Sequence, residues 1–436
     1  MPLIPNTCTP DLGIRLDRED NIYRPGETVL GWVYRTSHVV SEASIKVSLH
    51  GVSRTRMRSG VRWADKYQGQ FDIFQGDKNR QSVFQGPLHI GKGDDREELG
   101  QEWPFAFKLP THIDFSWVAD KKYGREYFKP IGRAIGREPL PGSFEMSDGD
   151  YNEGLVEYYL KATLELQRGG KSESQAAILP VRIVASAPEK AGSDVDNSLQ
   201  LSKSIMSVEI SDLSLTPSEP KPQLSTSQKL MNILRSSSTG TQIQCELQTW
   251  APAVLQIDDP KPLSLLLHAK TTWPRMSQLA EKMAPAVRVN FVEVGIESVV
   301  DIKTETTFGS IDDCLKSYKS LTKHIPSSYF SDITIPSAEK LPPIDVGHAV
   351  DIRLQSSSLP DTLSHSFSIC NIKADHILHW RIECEIEGRS CKTSGSQPIV
   401  ILPPAVERQA GSDFIAELPS YQCAVATAAP MYEMEG

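Results

Sequence analysis

The sequence contains no apolar run near the ~18 residues that a membrane-spanning helix needs. Its opening, MPLIPNTCTPDLG, has no basic segment leading into an apolar one, so a secretory signal is not expected. Cysteine is sparse: Cys8, Cys245, Cys314, Cys370, Cys384, Cys391 and Cys423 are seven in number, widely spread and without a C-x-x-C pair. That usage points to free thiols in a reducing compartment. Cys384 and Cys391 are spaced to face each other across a hairpin, but a disulfide there runs against that compartment.

Catalytic signatures are missing as well. There is no G-x-S-x-G elbow, no glycine-rich phosphate loop before a helix and no H-E-x-x-H. His365, Cys370, His376, His379 and Cys384 lie close in sequence. On a strand, however, His376 and His379 point to opposite faces and do not converge on a metal. The net charge of −9 excludes wholesale nucleic-acid binding and leaves room only for local basic patches. Convincing amphipathic helices are nearly absent.

What the chain has is strand pattern. From Asp11 to Val52 apolar residues alternate at Ile14 and Leu16, at Val29, Gly31 and Val33, and at Ile45, Val47 and Leu49. A period of two marks strands with one wet face. Pro25-Gly26 supplies a turn between them, proline presetting one dihedral and glycine tolerating the left-handed one. Similar segments run to about residue 185 and resume from about 241 to 403, which predicts an all-β protein of packed sandwiches. Between them, residues 187–240 are rich in Ser, Pro, Lys and acids and read as a partly disordered linker. Within that linker, Val208–Leu215 alternates like an edge strand, and Lys229–Arg235 has the makings of a helical turn. The hydrophilic stretch from Ser53 to Gly100 reads as an insertion.

The two strand-rich halves resemble each other. Ser143-Phe144 precedes the long strand through Tyr158, and Ser366-Phe367 precedes the one through Trp380. The Phe-to-aromatic spacings are 14 and 13 residues, and each half closes with an apolar strand, Leu179–Val184 and Pro398–Pro403. A duplicated sandwich accounts for that recurrence.

These residues carry a family resemblance. The order strand, Tyr23-Arg-Pro25-Gly26-Glu27, glycine-bearing strand, and strand ending Leu49-His-Gly51 resembles the opening of an arrestin N-terminal domain. PGSFEMSDGDYNEGLVEYYLKATLE is similar to a later element of that domain, and LPDTLSHSFSICNIKADHILHWRIECEIEG to its counterpart in arrestin C-domains. The serine-rich linker and the tail resemble the α-arrestins, fungal-type ubiquitin-ligase adaptors. The resemblance implies two immunoglobulin-like β-sandwiches joined by a hinge: an N-terminal domain over 10–186 and a C-terminal domain over 241–405, followed by a flexible tail over 406–436. It implies no cofactor, metal or catalytic residue. The buried charged network of visual arrestins has no counterpart that can be placed on this sequence.

The tail holds Leu418-Pro419-Ser420-Tyr421, a variant of the P-P-x-Y ligand of WW domains. Pro419 biases the segment toward polyproline II, so docking costs little entropy, and Tyr421 fills a second pocket. By resemblance the partners are a WW-domain HECT ubiquitin ligase and the cytoplasmic tails of membrane transporters or receptors. Two basic clusters are candidates for cargo or anionic-membrane contact: Arg54, Arg56, Arg58 and Arg62, and the set Lys121, Lys122, Arg125, Lys129, Arg133 and Arg137. Near an anionic leaflet each basic residue contributes ~1 kcal/mol. Thr216, Ser218, Ser236, Ser237 and Ser238 are candidate phosphorylation sites in the linker. The expectation is a cytoplasmic adaptor for ubiquitination and endocytic traffic, recruited to plasma membrane or endosomes. Its rivals are a ligase-independent scaffold like the arrestin-fold subunit of retromer, a β-sandwich enzyme and an extracellular adhesion protein.

Overall fold

The alternating pattern of the first half folds into two facing sheets. The computed structural model describes residues 4–59, 65–74, 79–90, 100–113, 138–149, 152–168, 171–185, 199–210, 241–272, 287–306, 309–321, 333–335, 341–355, 363–386 and 388–405. One sheet has the order β1 (Gly13–Leu16), β3 (Thr28–Arg35), β7 (Gln101–Lys108). The other runs β2 (Ile22–Tyr23), β12 (Lys171–Ile183), β11 (Glu153–Arg168), β4 (Val39–Ser59), β5 (Asp65–Asp72). β10 (Phe144–Ser147) adds to β11, and β6 (Arg80–Ile90) to β4. A small ribbon joins β8 (His112–Ile113) to β9 (Glu138–Pro139). The predicted turn is present, with Gly26 at φ 87°, where a β-carbon would be strained.

The second half repeats this plan, with one strand more in its small sheet and no counterpart of the β8–β9 ribbon. Its large sheet runs β15 (Val254–Gln256), β23 (Arg389–Leu402), β22 (Ile372–Ile386), β17 (Val287–Thr306), β18 (Gly309–Ser320), with β21 (Phe367–Ser368) on β22 and β19 (Thr334–Ile335) on β17. Its small sheet is β13 (Leu199–Ile210), β14 (Thr241–Pro252), β16 (Leu266–Thr272), β20 (Ile344–Asp345). Even the unusual parallel contact recurs, β2 on β12 and β15 on β23. Two packed β-sandwich bodies are the result. The helix α1 (Val346–Ala349) is a single turn, and among the described residues no helix is long and apolar enough to cross a membrane.

Register refines the duplication. Tyr23 pairs with Ile183 and Val181 with Tyr158; in the second half Leu255 pairs with Ile401 and Ile399 with His376. Counting along the strands therefore makes His376, not Trp380, the counterpart of Tyr158. Phe144 and Phe367 are true counterparts, opposite Val156 and Ala374. The near-equal aromatic spacings misled because the turn between β21 and β22 is shorter than that between β10 and β11.

Two further expectations change. Ser53–Gly100 is not an insertion: Ser53–Ser59 is the far part of the 21-residue strand β4, and β5 and β6 pair with it. The strand inside the presumed linker lies at Leu199–Ile210, pairs with β14 along its whole length and so belongs to the second sandwich. The two halves also share a core: Val300, Ile302, Leu315, Phe367, Ile369 and Ile372 of the second half pack in one apolar cluster with the first half's strands.

Candidate functional site

The junction of the two halves is built from the inward face of β4. Along this strand Val47, Leu49, Gly51, Ser53, Thr55 and Met57 point inward, and the switch from aliphatic to hydroxyl side chains marks where the second half docks. Ser53 Oγ donates to Asn371 Oδ1 at 2.5 Å, and Asn371 Nδ2 returns a bond to the Ser53 carbonyl at 3.5 Å. Thr55 Oγ1 donates to the Lys303 carbonyl at 2.7 Å and accepts from Thr304 Oγ1 at 3.0 Å. Ser53, Thr55, Thr304 and Asn371 are all buried. This set is neutral, so it avoids the desolvation cost of a charged network. At its margin Asn152 Nδ2 reaches Asp313 across the junction at 2.8 Å and Asp148 within its own half at 2.9 Å. Sequence reading missed these residues; polar side chains at inward positions of an otherwise apolar alternation were the available signal.

The shared Ser-Phe element has a mechanical explanation. Ser143 N–H donates to the Ile183 carbonyl at 2.7 Å, while the Ile183 N–H donates to Ser143 Oγ at 2.9 Å. Ser366 and Ile401 repeat the exchange at 2.8 and 2.9 Å. Each serine thus ties the end of a closing strand to the short strand that follows it, and each following phenylalanine turns toward the other half. The rings of Phe144 and Phe367 meet edge to face with centroids 5.2 Å apart. Gly51 is needed beside this corner: a β-carbon there would lie 2.8 Å from the rings of both Tyr158 and Phe74.

The Ser143-Phe144 corner borders a cleft of about 620 Å³ between the halves. Its walls are Ser143–Glu145 and Ile183–Ala185 from the first half, and Ile257, Leu363–His365 and Pro403-Pro404 from the second. Ile4, from the segment preceding β1, also lines it and is buried. His365 borders the cleft and His376 lies behind it, with Nδ1 3.1 Å from Ser298 Oγ. Burial holds both imidazoles down at about 4, and His376 adds to the effect on His365. Both rings are therefore neutral at neutral pH. Burial pushes the thiols of Cys370 and Cys384 up to about 12 and that of Cys245 to about 11, which makes them poor nucleophiles. Cys384 and Cys391 do pair across the β22–β23 hairpin, as free thiols. Among the described residues no group of His, Cys, Asp or Glu is arranged to hold a metal ion.

Arg54, Arg56 and Arg58 occupy the outward positions of β4. Arg54 is paired with Glu157 at 3.3 Å and Arg56 with Glu153 at 3.5 Å, both on the neighbouring strand β11. The Arg58 backbone N–H is held by Asn152 Oδ1 at 3.3 Å. Much of this cluster's charge is therefore compensated within the sheet. Arg62, Lys121, Lys122, Arg125, Lys129, Arg133, Arg137, Thr216, Ser218, Ser236, Ser237, Ser238, Leu418, Pro419 and Tyr421 lie outside the described residues. The helical turn expected at Lys229–Arg235 does too.

Residues 12–184 match the family model described as Arrestin (or S-antigen), N-terminal domain. The match begins one residue before β1 and ends one residue after β12, so it spans all the strands of the first sandwich. It supports arrestin-family membership. No curated protein matches the chain.

Proposed function

We propose that this chain is an α-arrestin-type adaptor that brings a WW-domain HECT ubiquitin ligase to membrane cargo. The observation that carries the reading is one chain holding both an arrestin N-terminal domain over 12–184 and Leu418-Pro419-Ser420-Tyr421 after the last strand of the second sandwich. An arrestin domain suggests a trafficking adaptor or scaffold, and arrestin-family proteins are generally non-enzymatic adaptors. In this reading the fused sandwiches present a rigid surface to the cytoplasmic tail of a transporter or receptor. The tail presents the ligase ligand: Pro419 in an aromatic groove, Tyr421 in the adjoining pocket and Leu418 beside them. Ubiquitin transfer to the cargo and its internalisation follow. The Lys121–Arg137 loop adds contact to cargo or to an anionic leaflet, and phosphorylation at Thr216, Ser218 or Ser236–Ser238 would add about two charges per site to the linker.

Binding of the full chain to isolated WW domains of a HECT ligase, with Tyr421→Ala as control, tests the reading. Micromolar binding that the substitution abolishes is the expected result. Binding indifferent to Tyr421, together with a partner subunit that co-purifies, would favour the ligase-independent scaffold instead.

A further inference from the structure

Three thiols meet inside the second sandwich. Cys384 on β22 and Cys391 on β23 lie directly opposite each other in the antiparallel ladder, so their side chains share one face. That face is the core: Cys384 is buried, and Cys391 is half-buried against the edge of the same apolar cluster. Cys245, also buried, comes from β14 in the facing sheet. The three are close enough to act on one another, since Cys245 and Cys391 both add to the upward push that burial gives the Cys384 thiol. Directly opposite residues of an antiparallel pair have Cα atoms roughly 4.5–5.5 Å apart, inside the roughly 4.4–6.8 Å that a disulfide spans. Facing sheets lie about 10 Å apart, which puts the Cα of Cys245 beyond that span. The ladder beside the pair is already irregular, with an extra residue between Val289 and Phe291 of β17, opposite Glu383 and Cys384. All three thiols belong to the second sandwich's own core, outside the cluster it shares with the first half.

We infer that Cys384 and Cys391 form an oxidation site, a dithiol that hydrogen peroxide converts to a cross-strand disulfide and that small-molecule thiols restore. Cys391, the more exposed of the two, is the entry point. Its thiolate takes one oxygen from peroxide, giving a sulfenic acid and hydroxide. The Cys384 sulfur then attacks the sulfenic sulfur: the S–S bond forms, the S–O bond breaks, and the Cys384 proton leaves with the oxygen as water. In sum, two thiols lose two hydrogens and peroxide is reduced to two waters. Burial makes Cys384 a weak nucleophile, but its target lies directly across the ladder, and proximity offsets low reactivity. Burial also raises the Cys391 thiol, so the site is slow and answers sustained oxidant. Transient, redox-sensing disulfides are the kind that reducing compartments hold. The site rests on the second sandwich alone and is independent of the ligase-binding reading.

The test treats the folded full-length chain with hydrogen peroxide, blocks the remaining thiols with N-ethylmaleimide and digests with trypsin in the absence of reductant. Trypsin cuts after Arg381, Arg389 and Lys392, so peptides 382–389 and 390–392 stay joined only through the disulfide. Exposed Cys314, which faces Asp301 rather than a thiol across its ladder, sets the dose: peroxide is raised until it is oxidised. At that dose mass spectrometry should find the joined pair, two hydrogens lighter than its two thiol peptides together, and dithiothreitol should abolish it. In Cys384→Ser the Cys391 thiol should stop at the sulfenic acid, which dimedone traps. In Cys391→Ser the Cys384 thiol should stay unoxidised. Oxidised Cys314 without the joined pair would overturn the site. A Cys245–Cys391 link in its place, or a joined pair that forms only in urea, would do the same.

Discussion

Phe144 and Phe367, at counterpart positions of two copies of one fold, face each other across the junction with ring centroids 5.2 Å apart. Both are buried, and an edge-to-face pair is worth about 0.5–1.5 kcal/mol beyond its area. Phe367→Ala should therefore cost roughly 3–5 kcal/mol. A double-mutant cycle with Phe144→Ala should return a coupling of about 1 kcal/mol. Urea unfolding measures both quantities. Additive losses would mean that the rings are neighbours without being energetically coupled.

The Ser143 and Ser366 exchanges predict matched behaviour in two distant places. Replacing either serine with alanine leaves the Ile183 or Ile401 N–H without its acceptor, at a cost of about 1–3 kcal/mol. Amide hydrogen exchange should speed up at Ile183 in Ser143→Ala and at Ile401 in Ser366→Ala, each without effect on the other. Unchanged exchange at both amides would deny the serines their tethering role.

How far the sequence disclosed this arrangement depends on which force sets each feature. Burial on one face of a strand writes itself into the chain as alternation, so β1, β3, β4, β11 and β22 were legible, as was the all-β class. The Ser-Phe recurrence was visible, but its purpose was not, because the partners Ile183 and Ile401 lie about 35–40 residues away and offer only backbone. Spacing alone also mispaired Tyr158 with Trp380, since loop length is free to change while register is not. The run of arginines on β4 read as a solvent-facing insertion because its compensating acids, Glu153 and Glu157, sit about 100 positions later on a strand brought alongside by folding. The neutral junction was hidden for a related reason: Ser53 and Thr55 interrupt an apolar series, and only Asn371, Lys303 and Thr304 from the other half explain the interruption.

The neutral pair His365 and His376 makes stability depend on acid. Burial is the leading cause of both depressed values; for His376 the nearby Asp375 and the His365 carbonyl act in the opposite sense. Folded imidazoles at about 4 lie below an unfolded reference near 6.5, so between those values the unfolded chain binds more protons. The contribution is complete above the unfolded value and is lost as pH falls from about 6.5 to about 4. His376 is the better covered of the two, and its share is on the order of 3 kcal/mol. The urea midpoint of wild type should fall across that window, and that of His376→Asn should fall less steeply. Parallel curves would remove His376 from the acid response.

Charge compensation on β4 separates the two basic clusters as membrane contacts. Arg54 already spends its charge on Glu157, whose side chain is only 10% exposed, and Arg56 on Glu153 at 16%. Drawing these arginines to lipid would strand two poorly solvated carboxylates, which offsets the ~1 kcal/mol that each basic residue otherwise gains at an anionic surface. Neutralising Arg54 and Arg56 to glutamine should therefore leave binding to phosphatidylserine vesicles nearly unchanged while lowering stability by about 1–3 kcal/mol, the cost of unpairing the acids. Neutralising Lys121, Lys122 and Arg125 should do the reverse, weakening vesicle binding about fivefold per residue with little effect on the urea midpoint. Vesicle co-sedimentation and urea titration of the same two variants decide the point. Loss of vesicle binding in the β4 variant with its stability intact would reverse the assignment.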